Sequence, residues 1–116
     1  MNTEFNSTDV SENFRRISIK GRLDIAGSEN IALKFASFSV ATNKCVVVDL
    51  SAVSLLASIG IRSIVINAKA LQSRGGKMVL FVGDNDLVAK TLRTSGIDSI
   101  IPVFVNANEA DAAALA

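Results

Sequence analysis

Residues 45–62 read CVVVDLSAVSLLASIGIR. Cys45 to Leu50 form a nearly continuous β-branched run. Such a run fits a strand buried on both faces, as the inner strands of a parallel sheet are. Ser51–Ala57 reads as a loop. A helix opens at Ser58 and continues to about Ser73, where Gly75-Gly76 stops it. The passage from buried strand to amphipathic helix is then repeated along the chain. Met78–Val82 is a second fully apolar strand. Asp84 or Asn85 caps a helix with Leu87, Val88 and Leu92 inward, stopped by Gly96. Ile100–Val105 is the last strand. It holds Pro102, which cannot donate a ladder bond, so this strand is expected at a sheet edge. Asn106–Ala116 reads as a short Ala-rich helix.

On the N-terminal side, FRRISIKGRLD (residues 14–24) places Ile17, Ile19 and Leu23 on one parity with basic residues between them. That pattern predicts a strand with one wetter face. Residues 3–10 form a weaker strand pairing with it across Ser11-Glu12-Asn13. Ser28 is positioned to cap a helix with Ile31, Ala32, Phe35 and Phe38 on one side, ended by Thr42-Asn43. Strands separated by single helices imply right-handed parallel crossovers. The fold class is therefore α/β: one domain over residues 1–116, with a mixed sheet of four to five strands, parallel in its centre, and about four helices.

Composition narrows the function. The 116 residues are 49% hydrophobic and 20% charged, which excludes disorder. Twelve basic and eleven acidic residues leave a net charge of +1, so general attraction to nucleic acid or anionic membranes is not expected. There is no His, Trp or Tyr. Triads that need His and metal sites that contain it are therefore excluded. The single cysteine, Cys45, lies in an apolar run and reads as a small buried hydrophobe. The polar start MNTEFNSTDVSENF has no apolar signal core, and no apolar stretch approaches the roughly 18 residues of a membrane span. A reducing cytoplasm is the expected compartment.

Enzyme motifs are missing. Gly76-Lys77 is followed by Met78, so the phosphate-loop pattern fails, and no GxGxxG occurs. Asp49 at a strand end invites comparison with a receiver phosphoacceptor. A receiver also needs an early acidic pair and a Lys after its last strand, and neither is present. Asp49 reads instead as a loop and helix-cap residue accepting backbone N–H bonds. No catalytic residue, metal or cofactor is expected.

Ser58 carries the strongest local signal. A serine at a helix start serves as an N-cap worth about 0.5–2 kcal/mol. The same position suits a phosphorylation switch, because a phosphate there meets free N–H groups and the positive end of the helix dipole. No Asp or Glu occurs from Leu50 to Gly83, whereas Arg62, Lys69, Arg74 and Lys77 do. Arg62 lies one turn beyond Ser58, placed to sense a phosphate or an acidic partner. At about 100° per residue, Ile61, Ile64, Val65, Ala68 and Leu71 cluster on one side of the helix and should face the sheet. Ile59 and Ile66 project to nearly the opposite side, beside Arg62 and Ser73. Two exposed isoleucines next to Ser58 are what a docking surface needs, although scattered surface apolar residues are also common.

Taken in order, the segments Gly21-Arg22-Leu23-Asp24, VVVDLSAV, Ser58–Gly60, GGKMVLFVG and LRTSGID…IIPVF resemble the STAS domain of bacterial anti-sigma factor antagonists. The resemblance covers nearly the whole chain. It implies that Ser58 is phosphorylated by a partner serine kinase of the GHKL type, itself an anti-sigma factor, and that a PP2C-type phosphatase reverses the modification. The unphosphorylated form binds the kinase and frees the sigma factor. The resemblance places Asp24 near the switch and Gly60 in the switch motif; with Ile59, Arg62 and Ile66, which the helical phase turns outward, they make up the expected partner-binding residues. It implies no enzymatic activity, no direct nucleic-acid contact, and a monomer or weak dimer. Three positions depart from the usual pattern: Ala57 replaces an Asp, Ile59 replaces a second hydroxyl, and Arg62 stands where a smaller residue is common. The alternative reading is a non-catalytic STAS subunit of a lipid-transport or stress-signalling assembly, with Ser58 only capping its helix.

Overall fold

In the computed structural model, which describes residues 3–40 and 45–116, the chain folds around one five-stranded sheet. The strands are β1 (Glu4–Ser11), β2 (Phe14–Leu23), β3 (Cys45–Leu56), β4 (Lys77–Phe81) and β5 (Val103–Phe104), arranged in that order across the sheet. β1 and β2 form an antiparallel hairpin, and the remaining pairs are parallel. The helices are α1 (Ile25–Ser39), α2 (Ser58–Ser73), α3 (Asp86–Ser95) and α4 (Ala107–Leu115). The predicted class and the mixed sheet are both present.

Strand parity divides the core in two. Ile17, Ile19, Val46, Val48, Leu50, Met78 and Leu80 point to the face covered by α1, α2 and α3. Phe14, Val47 and Val79 point to the other face, where α4 lays Ala110 and Ala114 against them. A strand buried on both faces needs apolar residues at every position, which is why β3 and β4 read as continuous runs. Arg16 reaches from β2 to Asp111 of α4 at 2.7 and 2.8 Å, pinning the last helix to this side.

Several boundaries differ from those expected. Ser51–Leu56 is strand, not loop: after a bulge it pairs with Lys20–Leu23 of β2. Asp49 therefore lies within β3. Its carboxylate accepts from the N–H and hydroxyl of Ser51 at 2.9 and 2.6 Å, fastening the bulge and capping no helix. Cys45 is half-buried at the start of β3. Helix α1 begins at Ile25, one turn before Ser28, and the expected end at Thr42-Asn43 lies outside the described residues. On its inner face are Ile31 and Phe35. Ala32 is exposed, and Phe38 packs at the edge, 6.0 Å from Phe5 and beneath the Arg15 guanidinium.

Asn85 rather than Asp84 caps α3. Val88 and Leu92, four residues apart, set its buried face, which leaves Leu87 58% exposed instead of inward. Gly96 ends the helix in the left-handed conformation, at φ 80°. The final strand is shorter than expected because the Ile100 and Ile101 N–H groups both bond back to the Ile97 carbonyl at 2.9 Å, extending the 3₁₀ turn of Ile97–Ser99 into the expected strand. It lies at the sheet edge, directly after Pro102, as anticipated.

Candidate functional site

The C-terminal ends of β2 and β3 lie side by side and deliver two helix starts to one end of the sheet. Leu23 pairs with Leu56, and the Leu23 carbonyl accepts the Ala57 N–H at 3.0 Å. Each strand then turns at once into its helix. Asp24 is the N-cap of α1, and its carboxylate accepts from the Gly27 N–H at 2.8 Å and from Arg22 Nε at 3.0 Å. The Gly27 N–H, followed by the Arg22 guanidinium, holds the Asp24 carboxyl below its ordinary value. Asp24 thus takes the capping role that the sequence suggested for Ser28. Ser28 is instead buried, and its hydroxyl has no hydrogen-bond partner among the described residues.

At the neighbouring helix, Ala57 occupies the cap. Its backbone is extended (φ −87°, ψ 168°) and its carbonyl accepts from the N–H groups of Gly60 and Ile61 at 3.0 and 3.1 Å. Alanine has no side-chain acceptor, so the first N–H groups of α2 receive no side-chain cap. Ser58 is the first helical residue and not the N-cap. Its exposed hydroxyl makes no capping bond. Gly60, one residue further along the turn than Ile59, lets the helix approach β2. A Cβ added there would lie 2.9 Å from Leu23 Cβ and 3.0 Å from the Leu23 carbonyl oxygen. Gly27 has the corresponding place in α1, against the Arg22 carbonyl and the Thr3 hydroxyl. Periodicity alone did not single out Gly27, because the contact that requires it is tertiary.

The phase of α2 is as expected. Ile64, Ala68 and Leu71 are buried, and Ile61 and Val65 pack partly against the same core. Ile59 and Ile66 are 40% and 55% exposed. The structure brings both, with Arg62, to a groove of about 350 Å³ between α1 and α2. The opposite wall is Ser28, Ala32 and Ala36, a stripe of small residues four apart that admits the groove. The sequence did not show this wall, because Ala32 was expected on the inner side of α1 and the placing of α1 beside α2 is tertiary. Ser58 lies just outside the groove, next to Ile59, while Gly60 lies under the helix and Asp24 beside its start. Neither Asp24 nor Gly60 lines the groove. Among the described residues, no group of His, Cys, Asp or Glu is arranged to hold a metal, and no helix is long and apolar enough to cross a membrane.

Residues 7–110 match the STAS domain. The chain belongs to the STAS domain family. Solved structures share the fold of this STAS domain at low sequence identity. An anti-sigma factor antagonist from Mycobacterium paratuberculosis is 17% identical with a TM-score of 0.87, over 98% of this chain and 95% of that one. An anti-sigma-factor antagonist (STAS) domain protein from Planctomyces limnophilus is 21% identical with a TM-score of 0.81, over the whole of both chains. The Bacillus cell fate determinant SpoIIAA in its phosphorylated form is 18% identical with a TM-score of 0.66, over 92% of this STAS domain and 96% of that chain. No curated protein matches the sequence significantly.

Proposed function

We propose that this STAS domain is an anti-sigma factor antagonist: a non-catalytic binding protein of the cytoplasm, switched by phosphorylation of Ser58. The observation that carries the reading is the setting of Ser58. Its hydroxyl is exposed at the first residue of α2, makes no capping bond, and stands beside an apolar groove edged by a cation. A hydroxyl with no structural task at an open helix start is accessible to a kinase, and the helix end favours the phosphate once attached. The likeness in fold to SpoIIAA, known in unphosphorylated and phosphorylated forms, supports the same reading.

In this scheme the partner is a serine kinase of the GHKL type that also holds the sigma factor. It supplies ATP and Mg²⁺. Unmodified, the domain docks through Ile59, Arg62 and Ile66, with Gly60 and Asp24 shaping the start of α2 beneath them, and the sigma factor is released. Phosphate adds about −1.5 to −2 charge at neutral pH and breaks docking by repulsion, desolvation and bulk. A PP2C-type phosphatase returns the domain to its binding form, which acts as a monomer or weak dimer.

The test is a pull-down from the native host followed by mass spectrometry of both partner and bait. The reading expects a serine kinase in the captured fraction and phosphate on Ser58. Capture of a lipid-transport assembly with Ser58 unmodified would favour the subunit role. Phosphate only on Ser51, Ser54 or Ser63 would remove Ser58 from the switch.

A further inference from the structure

Arg62 stands four residues after Ser58 on α2, so the two side chains share one face of the helix. Cα–Cβ bonds tilt toward a helix's N-terminus, which leans Arg62 toward Ser58. Arg62 is exposed, and its guanidinium makes no ion pair or hydrogen bond among the described residues. The acids nearby do not hold it. Asp24 is engaged by Arg22 and the Gly27 N–H, and Glu29, across the groove on α1, is not paired with it. The first turn of α2 carries no acidic residue. An unpaired cation thus edges an apolar groove, one turn from a hydroxyl at an uncapped helix start.

We infer that Arg62 reads the modification state of Ser58. With Ser58 unmodified, the guanidinium stands at the groove for a carboxylate of the docking partner. With Ser58 phosphorylated, it folds back along α2 onto the phosphate and leaves the groove without its cation. An acid four residues N-terminal to a base is the favourable order of such a pair. A phosphate also offers the guanidinium a doubly charged, bidentate acceptor, stronger than a single carboxylate. Phosphorylation then acts twice on the docking face, adding negative charge and withdrawing positive charge. This inference rests on the reading of Ser58 as phosphoacceptor.

The test titrates protein carrying phosphoserine at position 58, installed during translation, by ³¹P NMR. The Arg62→Gln and Arg62→Lys forms are titrated beside it. A nearby cation favours the phosphate dianion and so lowers its second pKa. The midpoint with Arg62 is expected to lie about 0.2–0.7 pH unit below that of Arg62→Gln at low salt. Arg62→Lys should fall between the two, and the gap should close at about 1 M salt. The open N–H groups and dipole of α2 act equally in all three forms and cancel in the comparison. Equal midpoints for the Arg62 and Arg62→Gln proteins would overturn the inference while leaving Ser58 a phosphoacceptor. A phosphosite map lacking Ser58 would instead defeat the switch without changing this titration, so the two failures are distinguishable.

Discussion

Asn85 uses both ends of its side chain. Its carbonyl oxygen accepts the Val88 N–H at 3.1 Å and caps α3. Its amide donates to the carbonyls of Val53 at 2.7 Å, Ser51 at 3.1 Å and Leu50 at 3.3 Å, bracing β3 at its bulge. Asn85→Asp keeps the cap but turns an acceptor toward three carbonyl oxygens. It should destabilise the fold by about 1–3 kcal/mol in urea denaturation at neutral pH; an unchanged midpoint would contradict this account. Asp24 gives a pH dependence with a definite sign. Its carboxyl is held below the ordinary 3.8, so its contribution is complete above that value and is lost as pH falls through the lowered one. Asp24→Asn should therefore flatten the acid side of the stability profile below about pH 4, read as urea midpoints across that range. An acid limb as steep as the wild type's would contradict it. At this scale the sequence offered Asp84 and Asn85 as equal caps. The choice falls to Asn85 because only an amide can also donate to the β3 carbonyls, and those carbonyls are remote in the chain.

Helix α2 depends on how closely its first turn can approach β2. Replacing a helical Gly by Ala ordinarily gains up to about 1 kcal/mol. At Gly60 the added methyl meets the Cβ and carbonyl oxygen of Leu23 and a Leu56 methyl at 2.9–3.0 Å. The expected sign is therefore reversed. Gly60→Ala should cost about 1–3 kcal/mol and lower the thermal midpoint, and a raised midpoint would contradict the close approach. Ser58→Ala should by contrast stay within about 0.5 kcal/mol of wild type, since Ala57 and not Ser58 occupies the cap. The extent of α2 and its buried face were legible because apolar spacing repeats over four turns. The run Ser51–Leu56 was not. Ser51 and Ser54 break the β-branched run and make it look like a loop, and only pairing with Lys20–Leu23 across the sheet makes it strand. The start of α1 was misplaced for a related reason. Asp24 and Ser28 are both good caps, and the strand that ends at Leu23 decides between them.

In the whole molecule, three helices cover one face of the sheet, and two of them leave the groove between α1 and α2 open at the end where Ser58 emerges. The alternation of strands and helices was readable from periodicity, and so were Ile59 and Ile66 on the outward side of α2. The groove was not, because its second wall belongs to another helix. Ile66 is more than half exposed, so Ile66→Glu should leave stability within about 0.5 kcal/mol while placing a charge on the α2 wall of the apolar groove. Partner binding should weaken with Ser58 unmodified, and unchanged binding would move the docking face elsewhere. The central claim is that one hydroxyl controls that face. Its most direct test is calorimetric affinity for the captured kinase, measured for the unmodified domain, Ser58→Ala and the form bearing phosphoserine at position 58. The account predicts equal binding by the first two and at least roughly tenfold weaker binding by the third. Equal affinities for all three would contradict it.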